Sequence, residues 1–225
     1  MNVNHRVIDL SRVIEPGMVT DPRLPTPTVS DVWTREESAA HYAPGVSFQI
    51  ASIDLPQNTG TYLDAPFHRH QGAPGVWDTP IERVADLPGV CVDVRAMVGR
   101  GERAIEPEDF AGLDIAGAAV LFFTGFDAKW SEPAYRDNSH PFFTRAAAEA
   151  LAGAALVGID AINADDMADA ERPAHSVLLK ANVLIVENLV NLEKLPTSGF
   201  RFTAAPVKAK GLGSFPVRAF AVLGE

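Results

Sequence analysis

The sequence is short of cysteine, of positive charge and of long apolar runs. Its one cysteine, Cys91, excludes an intrachain disulfide and by itself says little about compartment beyond being compatible with a reducing one. Flanked by Val90 and Val92, that thiol reads as an inert core group rather than a nucleophile. Lys and Arg number 19 against 29 Asp and Glu, a formal charge of −10. With no basic cluster, this balance argues against nucleic acid and against an anionic membrane surface as partners. No run approaches the roughly 18 apolar residues of a membrane span. The first residues do not follow the charged-then-apolar order of a signal peptide. The expectation is a soluble, cytoplasmic protein. What remains is ordinary in amount: 225 residues, 47 % apolar, enough for one domain (1–225) with a real core.

What is present concentrates in one stretch, Gln57 to His70, which holds a carboxylate, two imidazoles, a phenol and an amide. Asn58, Tyr62, Asp64, His68 and His70 all fall on even positions, one face of an extended chain. A straight strand would set Asn58 and His68 about 33 Å apart. Service in one site therefore requires a bend. Gly60 permits unusual backbone angles, and Pro66 fixes a dihedral from which a turn can fold His68 back toward Asp64.

Elsewhere the pattern reads as strands first and mixed helices later, an α/β or α+β domain. Strands are expected over 6–11, 46–55, 90–96, 118–126, 155–161, 183–190, 200–208 and 217–223. One helical turn is expected at 107–112, and helices over 142–152, ended by Gly153, and within 171–182. The proline-rich segment 15–27 must be a loop, either a lid over a site or a surface excursion. Glu187 sits among Leu184, Ile185, Val186, Leu189 and Val190. An ionised carboxylate there costs several kcal/mol unless it is paired or bound to a metal; the alternative is that it faces solvent or caps a buried arginine. His5, His41, His70 and His140 read as surface or satisfied polar groups, and Met97 and Met167 as core filler.

Thr59-Gly60-Thr61 followed by Asp64-Ala65-Pro66-Phe67-His68 resembles the motif His-x-Gly-Thr-His-x-Asp-x-Pro-x-His of the cyclase-like family, which includes bacterial kynurenine formamidase, isatin hydrolase and some polyketide cyclases. Further pieces are similar in order: Thr124-Gly125-Phe126 with Trp130, Gly158-Ile159-Asp160 through Asp165, His175 with Glu187-Asn188-Leu189 twelve residues on, and Gly213 to Arg218. The resemblance covers nearly the whole chain. It implies a three-layer β/β/α, swivelling-type single domain with a mixed sheet, assembled as a homodimer or homotetramer with sites near subunit contacts.

The resemblance also implies a site. One divalent metal would take Asn58, Tyr62 and Asp64, a second Asp64, His175 and Glu187, with His68 as general acid/base. The family carries histidines where this chain has Asn58 and Tyr62. An amide and a neutral phenol are poor ligands, so the first position is expected to be lost. The second keeps a His and two carboxylates, a set suited to one Zn²⁺ or Mn²⁺. Family formamidases carry a Trp in the early loop, whereas Gly17 to Asp21 has none, which argues against N-formylkynurenine in particular. Phe67, Trp77, Phe126 and Trp130 could line an apolar pocket or pack the core.

Three readings follow. The first is a hydrolase of a small amide, cyclic amide or lactone. The second is a metal-free cyclase or isomerase in which Asp64 orients His68 and Tyr62 donates a proton. The third is a binding protein that kept the fold and lost the chemistry.

Overall fold

A computed structural model describes residues 6–224. In chain order the strands are β1 (Arg6–Asp9), β2 (Thr28–Trp33), β3 (Ile50–Asp54), β4 (Tyr62–Asp64), β5 (Leu87–Asp93), β6 (Ala104–Ile105), β7 (Ala119–Phe123), β8 (Phe142–Phe143), β9 (Leu156–Ile159), β10 (Leu184–Glu187), β11 (Ser198–Thr203), β12 (Ser214–Pro216) and β13 (Phe220–Leu223). The α-helices are α1 (Arg35–Ala39), α2 (Arg95–Gly99), α3 (Arg145–Ala150) and α4 (Pro173–Lys180). Nine of the strands make one mixed sheet in the order β1-β13-β11-β5-β7-β9-β10-β4-β12. The centre, β5-β7-β9-β10, is parallel, and both margins are antiparallel.

The apolar run at β7 is buried along its whole length because the sheet is covered on both faces. Val120 and Phe122 point to a core shared with Phe143, Ala147 and Leu151 of the α3 region and Leu178 and Leu179 of α4. Ala119, Leu121 and Phe123 point to a second core, which Leu63 of β4, Phe200 and Phe202 of β11, Ala221 of β13 and Ile8 of β1 complete. The period-two alternation thus feeds two cores, one roofed by helices and one closed by the curling margins of the same sheet. The mixed α/β domain with a mixed sheet is the one the resemblance implies, and the curl of that sheet is what the structure adds. No helix among the described residues is long and apolar enough to cross a membrane.

Several boundaries differ from expectation, each for a local reason. The helix expected over 142–152 begins only after Thr144, whose side chain accepts from Ala147 N–H as an N-cap. The two phenylalanines before it pair in parallel with β6 instead. The strand expected from residue 46 starts at Ile50, because Phe48 N–H is taken by Ser38 Oγ at 2.8 Å. The strand expected at 90–96 runs from Leu87 to Asp93, and the chain then turns into α2. The strand expected at 200–208 is Ser198–Thr203. The turn at 107 is a single 3₁₀ turn, Pro107–Phe110. His5 lies outside the described residues. Met97 is core, as expected.

Candidate active site

The antiparallel pairing of β4 with β10 and β12 builds the site. Its register sets Tyr62 opposite Glu187 and Asp64 opposite both Ile185 and Ser214. Residues 62 and 64 therefore share one face with Glu187, while Leu63 and Val186 face the second core. The bend comes where expected. Gly60 adopts φ +62°, and its N–H is held by Thr20 Oγ1 at 2.8 Å. After Asp64, the Pro66–His68 3₁₀ turn brings His68 back over the strand. Gly213 makes room for it, since a Cβ at that position would lie 2.5 Å from the His68 backbone. Pro173 starts α4, which carries His175.

Asp64, Glu187 and Asp165 are wholly buried, and His175 is 4 % exposed. Asp165 accepts from His175 Nδ1 at 2.6 Å and from the amides of Ala174 and His175. This fixes the ring and turns His175 Nε2 toward Asp64 Oδ2 at 3.6 Å and Glu187 Oε1 at 3.5 Å. Asp64 Oδ2 has no hydrogen-bond partner. The other oxygens are engaged: Ser214 Oγ donates to Asp64 Oδ1, Tyr62 donates to Glu187 Oε2, and Ala164 N–H donates to Glu187 Oε1 at 2.6 Å. Ser214 Oγ also lies 2.9 Å from His68 Nδ1. Because its proton goes to Asp64, this hydrogen-bond order assigns the His68 proton to Nδ1 and leaves Nε2 as the basic nitrogen.

Electrostatics follow from this packing. Burial raises the Glu187 carboxyl, and the charge of Asp64 adds to that against the pull of His175, for a pKa of about 7. Burial pulls His175 down, but the Asp165 hydrogen bond and the negative charges of Asp64 and Glu187 outweigh it and lift its pKa to about 10. Burial works against the Asp64 anion too, yet His68, His175 and Ser214 hold its pKa below the usual carboxylate value. Tyr62 is pushed well above its ordinary value, by burial first and then by the charges of Glu187 and Asp64, so it is a neutral donor.

The site opens into a cavity of about 190 Å³ lined by Asn58, Tyr62, His68, Asn163, Arg172 and His175, with Thr20, Asp21, Arg23 and Leu24 of the proline-rich loop closing one side. Of the two readings of that loop, its contact with the cavity favours a wall of the site over a remote surface excursion. The reading of Glu187 as a solvent-facing or arginine-capping residue does not hold. Phe67, Trp77, Phe126 and Trp130 are absent from the cavity wall: Phe67 stacks edge-on to Trp77, Phe126 is core, and Trp130 lies under the Arg12 guanidinium. His70 bonds the Ser176 carbonyl, and buried His140 bonds the Asp165 carbonyl. Sequence reasoning gave no role to Ser214, Asp165 or Arg172. Ser214 and Asp165 stood within the resembling segments, and that was their only signal.

The donor set can be tested for a metal. Among the described residues, Asp64, His68 and His175 each offer a ligand atom within 4.8 Å of the others, and Glu187 Oε1 lies 3.5 Å from His175 Nε2. An unpartnered buried carboxylate oxygen beside an imidazole oriented by a second carboxylate suits a divalent cation. The cluster holds His68 where the resemblance places Glu187: His68 Nδ1 is bonded to Ser214, which leaves Nε2 as its free nitrogen, and both Glu187 oxygens already accept hydrogen bonds. The other position does not fit. Asn58 Nδ2 approaches Asp64 Oδ1 at 3.4 Å and Tyr62 O–H faces Glu187, so both present protons where ligands would need lone pairs.

Residues 8–166, most of the chain, match the family described as "Putative cyclase". The chain belongs to this cyclase family. A kynurenine formamidase of Salinibacter ruber is 31 % identical over 221 residues, covering 95 % of each chain. Isatin hydrolase A from Ralstonia solanacearum superposes with a TM-score of 0.80 at 25 % identity, covering 98 % of this chain and 93 % of that one. A protein described as a potential metal-dependent hydrolase with cyclase activity superposes at 0.76 with 28 % identity, covering 98 % and 99 %.

Proposed function

We propose that this cyclase-family chain hydrolyses the C–N bond of a small amide, linear or cyclic, with one divalent metal at Asp64, His175 and Glu187 and with His68 as general acid/base. One observation carries this reading: the unpartnered Asp64 Oδ2 and the oriented His175 Nε2 converge beside a cavity rimmed by an imidazole whose Nε2 is free to take a proton. The relatives support it through their names, a formamidase and an isatin hydrolase, both amide-cleaving enzymes. When bound, a divalent cation supplies an acidified water and polarises the carbonyl.

The chain's own residues do the rest. Asp165 holds the His175 ring, and Ala164 N–H and Tyr62 O–H hold Glu187. Ser214 ties His68 to Asp64, so that Nε2 of His68 takes a proton from the attacking water and returns it to the leaving nitrogen. Loop residues Thr20 to Leu24 limit water at the cavity and restrict the substrate to a small molecule. The polar wall, without Phe67, Trp77, Phe126 or Trp130, favours a compact polar acyl group over a large flat apolar one.

The test is a substrate panel of formanilide, N-formylkynurenine, isatin and simple lactones, run with and without added Zn²⁺ or Mn²⁺. Metal-dependent turnover of an amide is expected. Turnover unaffected by chelator, or confined to non-hydrolytic isomerisation, contradicts the reading.

A further inference from the structure

Arg172 occupies the position before α4 where a capping side chain is expected, and it does not cap. Asp165 takes the Ala174 and His175 amides instead. Arg172 also stands at φ +50° and ψ +60°, left-handed backbone that a long side chain seldom adopts. Neither the helix nor the local backbone accounts for an arginine here. What its side chain does is line the active-site cavity, where Arg23 of the proline-rich loop is the other guanidinium.

Two contacts hold the Arg172 side chain. Nη2 donates to Asn163 Oδ1 at 2.7 Å, and Nε lies 3.4 Å from Asp165 Oδ2. Asn163, which also lines the cavity, accepts from Asp165 N–H at 2.9 Å through the same Oδ1. Two donors on one atom fix which end of that amide is oxygen. Among the described residues, Arg172 Nη1 and Asn163 Nδ2 have no hydrogen-bond partner. The pair is thus fixed in place by its other atoms and keeps N–H groups to spare.

Charge points the same way. The chain as a whole carries −10. Away from His68 and His175, however, the charged residues lining the cavity are Arg23 and Arg172 against Asp21 alone. Asp21 is bound through both oxygens by Arg23. Arg23 above all, with Arg172 behind it, holds the Asp21 carboxyl below its usual range. That carboxylate is therefore engaged and does not await a substrate ammonium. A wall with spare donors, a surplus cation and no free carboxylate suits a monoanion.

We infer that the substrate is an amide bearing a carboxylate, and that Arg172 and Asn163 bind this carboxylate and so decide which amides are accepted. The inference rests on the amide-hydrolase reading for the reaction, but not for the binding.

The test compares N-formyl-β-alanine with N-propylformamide, which has the same length and a methyl group in place of the carboxylate. With Zn²⁺ or Mn²⁺ added, the wild type is expected to favour the acid in kcat/KM by about 10–100-fold, chiefly through KM. Arg172→Met is expected to bring that ratio close to one. Arg172→Lys, a point charge without the fork, is expected to fall between. Asn163→Asp keeps the acceptor for Arg172, adds a negative charge to the wall, and is expected to lose the preference as well. Thermal melting shows which variants are folded and can be compared. Calorimetric titration of both compounds repeats the comparison without turnover. If neither amide is hydrolysed, but only the acid binds and Arg172→Met loses it, the reaction reading fails and the carboxylate site stands. A wild type that binds and turns over the two amides equally, or binds neither, overturns the inference. So does a fall in kcat shared equally by both amides in Arg172→Met, the mark of an arginine that only braces Asp165 behind His175.

Discussion

Asp64 and Asp160 are both completely buried near the same part of the sheet, but the chain surrounds them differently. Asp160 ends the β9 segment and accepts from Thr124 N–H, Thr124 Oγ1 and Gly125 N–H, with both oxygens used. It bolts the turn after β7 to β9. Even so, burial lifts its pKa to about 7. Asp64 keeps one oxygen without any donor, 3.6 Å from an imidazole nitrogen. A buried polar group that is fully satisfied is a structural device; one left unpaired costs roughly 1–3 kcal/mol and persists where function uses it. The same residue type at similar depth thus marks a joint in one place and a binding point in the other.

Substituting the two aspartates in parallel gives the sharpest contrast. Asp64→Asn should abolish metal binding and cut kcat/KM by roughly 10³-fold or more, the several kcal/mol that a metal contributes. Its melting temperature should hold, since a buried charge is removed. Asp160→Asn should do the reverse, losing about 1–3 kcal/mol of stability in urea titration while the folded fraction keeps its turnover. Equal behaviour of the two variants would erase the distinction.

His68→Ala should lower kcat by about 10²–10⁴-fold with metal content unchanged, which calorimetric titration of Zn²⁺ would check. A variant that loses the metal as well would make His68 a ligand, joining Asp64 and His175 in the cluster within 4.8 Å. Ser214→Ala should cost less, about 10–100-fold, through misplacement of Asp64 and His68, and should alter the pH profile of kcat/KM.

A separate effect concerns stability and its dependence on pH. His140 is buried with Nε2 on the Asp165 carbonyl, and burial depresses its pKa to about 4 from 6.5. Its folded form stays neutral while the unfolded chain takes up a proton between pH 6.5 and 4. Stability therefore falls as pH drops through that window, by on the order of 3 kcal/mol in total. Urea midpoints measured from pH 7 to 4.5 should show that slope, flattened in His140→Gln.

Much of this site is legible in the residues. Glu187 stands out as a carboxylate in an apolar strand, and the Gly60 and Pro66 bend around Tyr62, Asp64 and His68 follows from local backbone chemistry. Ser214 and Asp165 are not legible in the same way. Ser214 meets Asp64 only through the register of β12 on β4, a pairing 150 residues apart in sequence. Asp165 reaches His175 from a loop whose shape no periodicity encodes. The aromatic residues mislead for a related reason: Phe67 and Trp77 satisfy each other instead of the cavity. The alternation of Val46, Phe48 and Ile50 suggests a half-buried strand, yet all three are exposed, because alternation says nothing about what stands opposite the face it defines.

The most direct measurement is metal stoichiometry by elemental analysis after dialysis against Zn²⁺ or Mn²⁺, on the wild type and on Asp64→Asn and Asp160→Asn. The predicted result is one ion per chain in the wild type and in Asp160→Asn, and none in Asp64→Asn. Two ions per chain, none in the wild type, or an ion that survives Asp64→Asn would contradict a single centre at Asp64, His175 and Glu187.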